Sequence, residues 1–359
     1  MRSPAFITLI LFFIGVAAFL IVRSFSVSHS AISPSPGAQT REVVVQESVP
    51  FTPTQPTIDK IFSNDHEWIA TLSAGRIRTL VATGDVIPAR SVNYKTISYG
   101  NFNWPWERTA DVIRSADVTL INLESPLIEN CPVTNEGMIF CGDKRHIEGL
   151  RFAGVDGANM GNNHAGNYGN EGVEETVELL NEEEIAAVGI QNPVYKDVEG
   201  LRFAFLGYND IGRQTGVSHI EDGAFTQEIS ASSKQADVVV VSVHWGVEYT
   251  HEPTDRQRDV AHAMIDAGAD IVIGNHPHWI QPVELYKNGV IMYAHGNFIF
   301  DQMWSKETRE GVVGRYTFYD GTLIDVEFFP VVIEDYGQPR WAEGEERLKT
   351  LRELETLSF

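Results

Sequence analysis

Eight residues able to bind a metal or move a proton stand at or just past the ends of six short apolar runs. Thr79–Thr83 stops at Gly84-Asp85, Val118–Ile121 at Asn122-Leu123-Glu124, and Ala158–Met160 at Gly161-Asn162-Asn163-His164. Val238–Val243 stops at His244-Trp245-Gly246, Ile271–Ile273 at Gly274-Asn275-His276-Pro277-His278, and Val290–Tyr293 runs on to His295-Gly296-Asn297. Carboxylate, amide and imidazole in this mixture suit Mn, Fe or Zn better than Ca. Two such ions about 3.5–4 Å apart activate a water and neutralise the charge that develops when a phosphoester or similar bond is hydrolysed. A site of that kind needs a carboxylate touching both ions, and Glu124 is the candidate, because a strand end fixes its backbone. Asp85 follows Gly84 in a strand-end turn. In His276-Pro277-His278 one residue separates the imidazoles, so an extended backbone would point both to one side, one per metal. Of the eleven histidines, His164, His244, His276, His278 and His295 occupy these motifs, whereas His66, His219, His251 and His262 read as ordinary packed or surface side chains.

The elements that position these residues read as α/β. Continuous apolar runs with helix-like stretches between several of them are buried strands of a sheet covered on both faces, and ligands sit outside the carboxyl ends of such strands. One edge of one sheet is expected to collect the set. Thr57–Leu72 reads as a short helix, Asn170–Val188 as a Glu-rich amphipathic helix, and Thr254–Ala267 as a helix leading into the His276–His278 strand. Arg315–Phe318, Thr322–Phe329 and Val331–Ile333 read as antiparallel strands of a second sheet packed on the first. Residues 336–359 form a charged, helical, peripheral tail.

With 359 residues, 43% of them hydrophobic, the chain accommodates one large α/β domain plus appendages. A net charge of −22 argues against a nucleic-acid backbone as partner. Ala5–Val22 is apolar and uncharged, long enough to span a bilayer and longer than the core of a cleavable signal, although Ser28-His29-Ser30 offers small residues for cleavage. The expectation is a flank at 1–4, a single-pass anchor at 5–22, a Ser/Pro stalk and short helix at 23–77, and a main domain at 78–335 outside the cytoplasm. In an oxidising compartment Cys131 and Cys141 would form a local disulfide; two free thiols are the alternative.

Several stretches together resemble the CapA family of capsule, or poly-γ-glutamate, biosynthesis proteins. They are Gly84-Asp85 with Arg90, Asn122-Leu123-Glu124-Ser125-Pro126-Leu127, Asn162-Asn163-His164 with Tyr168-Gly169, His244-Trp245-Gly246-Val247-Glu248-Tyr249, Gly274-Asn275-His276-Pro277-His278 and Gly296-Asn297-Phe298. That family is similar to the calcineurin-like metallophosphoesterases. The resemblance implies a four-layer sandwich of two mixed sheets between helices. It implies two divalent ions, one held by Asp85, Glu124 and His278, the other by Glu124, Asn163, His244 and His276. It also implies His164 as a proton donor beside the site and Arg90 near substrate or buttressing Asp85. Asn122, Glu248 and His295 are further candidates for the site. Asn167 stands where the family usually has Asp, His295 where Leu is common, and Asp85-Val86-Ile87 lacks the second histidine of the phosphoesterase Asp-x-His opening. The expected function is capsular polymer biosynthesis, with hydrolase or transferase chemistry on an anionic polymer or phosphorylated substrate. The alternative is a non-catalytic, membrane-anchored component of a polymer synthesis complex.

Overall fold

A computed structural model describes residues 51–359. The expected anchor at 5–22 and the stalk as far as residue 50 lie outside the described residues. Among the described residues no helix is long and apolar enough to cross a membrane. In chain order the elements are α1 (Ile58–Ile61), β1 (Ile77–Val86), α2 (Arg90–Tyr99), α3 (Ala110–Ile113), β2 (Val118–Leu123), β3 (Leu127–Ile128), β4 (Gly142–Asp143), α4 (His146–Ala153), β5 (Gly157–Asn159), α5 (Gly169–Glu182), β6 (Ala186–Val188), β7 (Val194–Val198) and β8 (Leu201–Asn209). They continue with α6 (Phe225–Ser232), β9 (Val238–His244), α7 (Asp255–Asp266), β10 (Ile271–Asn275), β11 (Val283–Tyr286), β12 (Gly289–Met292), β13 (Asn297–Ile299), β14 (Glu310–Tyr319), β15 (Thr322–Glu334), β16 (Gln338–Trp341) and α8 (Gly344–Leu357).

The six apolar runs are all strands, but they divide between two mixed sheets where one was expected. The first sheet runs β16-β15-β14-β1-β2-β5-β6, with β13 also paired to β1; the second runs β11-β12-β10-β9-β8-β7. Side-chain alternation shows how the sheets meet. Leu80, Ala82, Val118 and Leu120 of the first pack against Phe203, Phe205, Val238, Val240, Ile271 and Ile273 of the second. The intervening residues face outward, Val81 and Ile121 into a cluster with α3, α4 and α5, and Val239, Val241 and Val272 into one with α6 and α7. Each central strand is therefore apolar on both faces, which is why it reads as a continuous run.

Four expectations about elements change. The strands at 310–334 are antiparallel, as expected, yet they extend the first sheet beside β1, and the second sheet comes from the middle of the chain. The helix read across Asn170–Val188 ends at Glu182, and Ala186–Val188 is strand β6, hydrogen-bonded to β5. The stretch Thr57–Leu72 is one helical turn followed by a 3₁₀ segment at Glu67–Thr71. The C-terminal helix packs on the core: Leu354 is buried in the inter-sheet cluster, and the backbone of Phe359 pairs with Val283 and Leu285.

Candidate metal centre

Asp85 lies inside β1, not in a turn after it. β14 pairs with β1 only as far as Ala82, and beyond a bulge β13 takes over the edge, so the Asp85 amide donates to the Gly296 carbonyl at 3.0 Å. Gly84 permits that approach, since a β-carbon there would collide with the Gly296 carbonyl. On the neighbouring strand Asn122 Nδ2 donates to Asp85 Oδ1 at 2.8 Å. Glu124 follows one residue past β2, anchored by its amide to the Val86 carbonyl at 2.9 Å. It is fully buried, and neither carboxylate oxygen has a hydrogen-bond donor.

The second sheet supplies the imidazoles. His244 ends β9 and puts Nε2 at 3.3 Å from Glu124 Oε1 and 3.1 Å from His276 Nδ1. His276 and His278 both have left-handed backbones, with φ of +97° and +57°, so the extended geometry expected for them does not occur. They converge all the same, with ring centroids 5.9 Å apart. Non-glycine residues pay about 1–3 kcal/mol each for such backbones, which persist where surroundings over-determine them and cluster at functional sites. His278 Nδ1 lies 3.0 Å from Asp85 Oδ2 and 2.9 Å from Asn297 Oδ1. Asn297 Nδ2 donates to the Thr308 carbonyl, so its Oδ1 must accept; His278 therefore carries a hydrogen on Nδ1, which leaves Nε2 as the ring nitrogen that would turn to a metal on losing its proton. Three groups of ligating atoms lie within 4.8 Å of one another: Asp85/Glu124/His278, Glu124/His244/His276 and Glu248/His276/His278.

Electrostatics favour a cation here. Burial raises Glu124 well above the usual carboxylate range, and the charge of Asp85 adds to it. Burial lowers His244 to about 3 and takes His276 well below its ordinary value, the latter helped by His244 and His278. Burial opposes the charged forms of Asp85 and His278, yet their mutual hydrogen bond holds Asp85 below the carboxylate norm and His278 at about 9. A buried carboxylate with no donor, beside His244 and His276 kept neutral, is an arrangement that a divalent cation stabilises, and such a cation would displace the second ring proton of His278. The residues fit the ions expected of them.

Asn163 exposes a similar need: its Oδ1 is buried without a donor. His164 Nε2 stands 4.0 Å from Glu124 Oε1. A run of amides fixes the floor. Gly161 N–H donates to Asn159 Oδ1, Asn159 Nδ2 to Asn122 Oδ1, and Asn122 Nδ2 to Asp85, so a backbone donor sets the orientation of every amide in the row. Asn162 ties its Nδ2 to the Leu123 carbonyl at 2.9 Å, while its Oδ1 accepts from the amides of His164 and Ala165.

The family model for the bacterial capsule synthesis protein PGA_cap matches residues 79–302, a span that includes every ligand candidate from Asp85 to His278. The chain belongs to this capsule synthesis family. It is 30% identical over 285 residues to the capsule biosynthesis protein CapA of Bacillus anthracis, covering 73% of this chain and 69% of that one. It is 33% identical over 251 residues to the PGA biosynthesis protein CapA of Bacillus subtilis (strain 168), covering 65% and 66%. Among solved structures, a hypothetical protein from Thermus thermophilus aligns over 70% of this chain and 98% of its own, at 18% identity and a TM-score of 0.46, too distant to define the fold.

At the candidate centre Glu248 joins His276 and His278, whereas His295 lies in the core between the Gly274 carbonyl and the Tyr316 hydroxyl and in none of the ligating groups. Arg90, with φ of +48°, pairs with Asp301 and is sandwiched between the rings of Phe140 and Phe300, each 4.9 Å away. Ile87, two residues after Asp85, is buried in an apolar cluster with Ala89, Phe140 and Phe300. His66, His219, His251 and His262 are satisfied by Asp325, Gln214, the Ile280 carbonyl and Glu284 respectively. Cys131 and Cys141 form a disulfide. Sequence reasoning placed Asn162 and Asn297 in the strand-end motifs without a role of their own and passed over Asn159. The one available signal was a polar residue interrupting an apolar run, as Asn159 does between Ala158 and Met160.

Proposed function

We propose that this chain is a membrane-anchored, extracytoplasmic capsule-polymer protein of CapA type, acting as a metal-dependent hydrolase or transferase on a phosphoester or similar bond. The carrying observation is Glu124, buried and donorless between one ligating group shared with Asp85 and His278 and another shared with His244 and His276. Asn163 would join the second group through its unpartnered Oδ1. Divalent ions bound there would neutralise developing charge and make a bound water acidic enough to attack. The chain's own residues do the rest. Asn122 and Asn297 orient Asp85 and His278, the strand ends hold Glu124 and His244 rigid, and His164 takes or gives a proton at Nε2. The names of the Bacillus relatives, capsule and PGA biosynthesis, support a polymeric substrate, and the net charge of −22 means that an anionic one must be met by cations at the site.

Glu124→Gln tests this reading. Purified full-length chain, loaded with Mn or Zn, should lose more metal from this substitution than from any single change at Asp85, Asn163, His244, His276 or His278, and should lose turnover of bis(p-nitrophenyl) phosphate with it. Unchanged metal stoichiometry by elemental mass spectrometry refutes the bridge. Ile87 favours a second reading: where an additional imidazole would strengthen the Asp85 ion there is apolar packing, which suits a non-catalytic assembly component. Full metal loading without turnover of any diester selects that reading.

A further inference from the structure

The disulfide joins Cys131 to Cys141 and closes a loop whose contacts run into the site. Met138 and Ile139 are exposed, yet Phe140 beside them is buried. Its ring stacks on His164 with centroids 4.2 Å apart and planes 26° from parallel, and meets Phe300 edge-on at 5.7 Å. Its backbone amide donates to Asn167 Oδ1 at 2.7 Å, and the same oxygen lies 2.9 Å from His164 Nδ1. A backbone N–H can only donate, so this end of the Asn167 amide is the oxygen, and His164 must carry its hydrogen on Nδ1. The Nε2 lone pair is then the atom facing Glu124. Gly137, in the same loop, accepts from Arg90 Nη1 at 3.3 Å.

We propose that Phe140, held in the site by the Cys131–Cys141 loop, is a positioning residue that fixes both the ring plane and the tautomer of His164. The ring sets the plane by stacking, and the backbone amide sets the tautomer through Asn167. The disulfide's part is to keep that amide in place: opening a short closed loop releases conformational freedom to the segment that carries it. The inference rests on the hydrolytic reading for its kinetic arm alone.

The experiment uses the full-length chain as wild type, Phe140→Ala, Phe140→Tyr and the double variant Cys131→Ser/Cys141→Ser. The first arm needs no turnover. Diethyl pyrocarbonate modification of His164 is followed by peptide mass spectrometry, and the ring nitrogens of His164 by ¹⁵N NMR. In Phe140→Ala and in the double serine variant the His164 rate should rise about 3–10-fold, the population change that loss of one aromatic contact allows. His219 and His262 should keep their wild-type rates, and in the double serine variant, where the Phe140 amide is released, the nitrogen shifts should move toward a mixture of tautomers. Phe140→Tyr should restore the wild-type rate. In the kinetic arm kcat falls while KM stays. Wild-type His164 reactivity and shifts in both perturbed variants overturn the proposal; if Phe140→Ala does not fold, the double serine variant decides by the same criterion. A protein that turns over nothing yet shows the His164 response keeps this inference and loses the hydrolytic reading.

Discussion

His164 shows what a residue gains and loses by its surroundings. Burial lowers it to about 4, against the pull of the Asn167 hydrogen bond, which favours the protonated ring, so its resting form is the neutral imidazole. Proton transfer at Nε2 is typically worth about 10²–10⁴-fold. His164→Ala should therefore lower turnover by that order with metal content near wild type, and less so for substrates with acidic leaving groups; metal loss equal to that of His244→Ala would make it a ligand. The ligand candidates were legible because each interrupts or ends an apolar run, a signal local to the chain. Asn159, Asn162 and Asn297 were not, because what gives them meaning is a backbone carbonyl or amide elsewhere in the fold. The left-handed His276 and His278 were misread for a related reason: around a proline, local preference favours extended backbone, and the partners that go with the observed one, His244 for His276 and Asp85 and Asn297 for His278, are distant in sequence.

Among the elements, α7 was read almost to the residue, since it carries its own punctuation. Thr254 Oγ1 accepts from the Gln257 amide at 3.1 Å while Gln257 Oε1 accepts from the Thr254 amide at 2.9 Å, a reciprocal cap. Thr254→Ala should lower unfolding free energy by about 1 kcal/mol in denaturant titration; no change would show the cap to be redundant with packing. A second test concerns His146 at the start of α4, buried against Asn93 and Thr96, where burial lowers it to about 3. The unfolded chain takes up that proton near pH 6.5 and the folded chain near 3, so stability falls as pH drops through that window, by about 1.4 kcal/mol per pH unit. In His146→Gln the stability–pH slope between about pH 6 and 4 should flatten by about one proton's worth, and an unchanged slope would show that the site takes up its proton without opening. The assignment of strands to sheets was illegible, because a strand buried on both faces carries the same pattern whichever sheet it joins. The end of α5 was lost because Ala186–Val188 continues an apolar spacing that suits either state.

For the whole molecule, the N-terminal apolar segment bears on where the domain is displayed. Ala5–Val22 has the length of a spanning helix, and the 28 residues from Arg23 to Pro50 separate it from the first described residue. If that segment is retained as an anchor with the domain exported, protease added to intact cells should remove the folded part, whereas complete protection would place it on the other side. The two-sheet construction has its own consequence in time. Asp85 and His278 are 193 positions apart, and Glu124 shares its ligands with β9 and the end of β10, so neither group containing Glu124 exists until both sheets are assembled. A chain still emerging, or still threaded through a pore, has no such pocket to fill. An ion held by Glu124 would therefore arrive last in the protein's making, from among those present where the final strands dock.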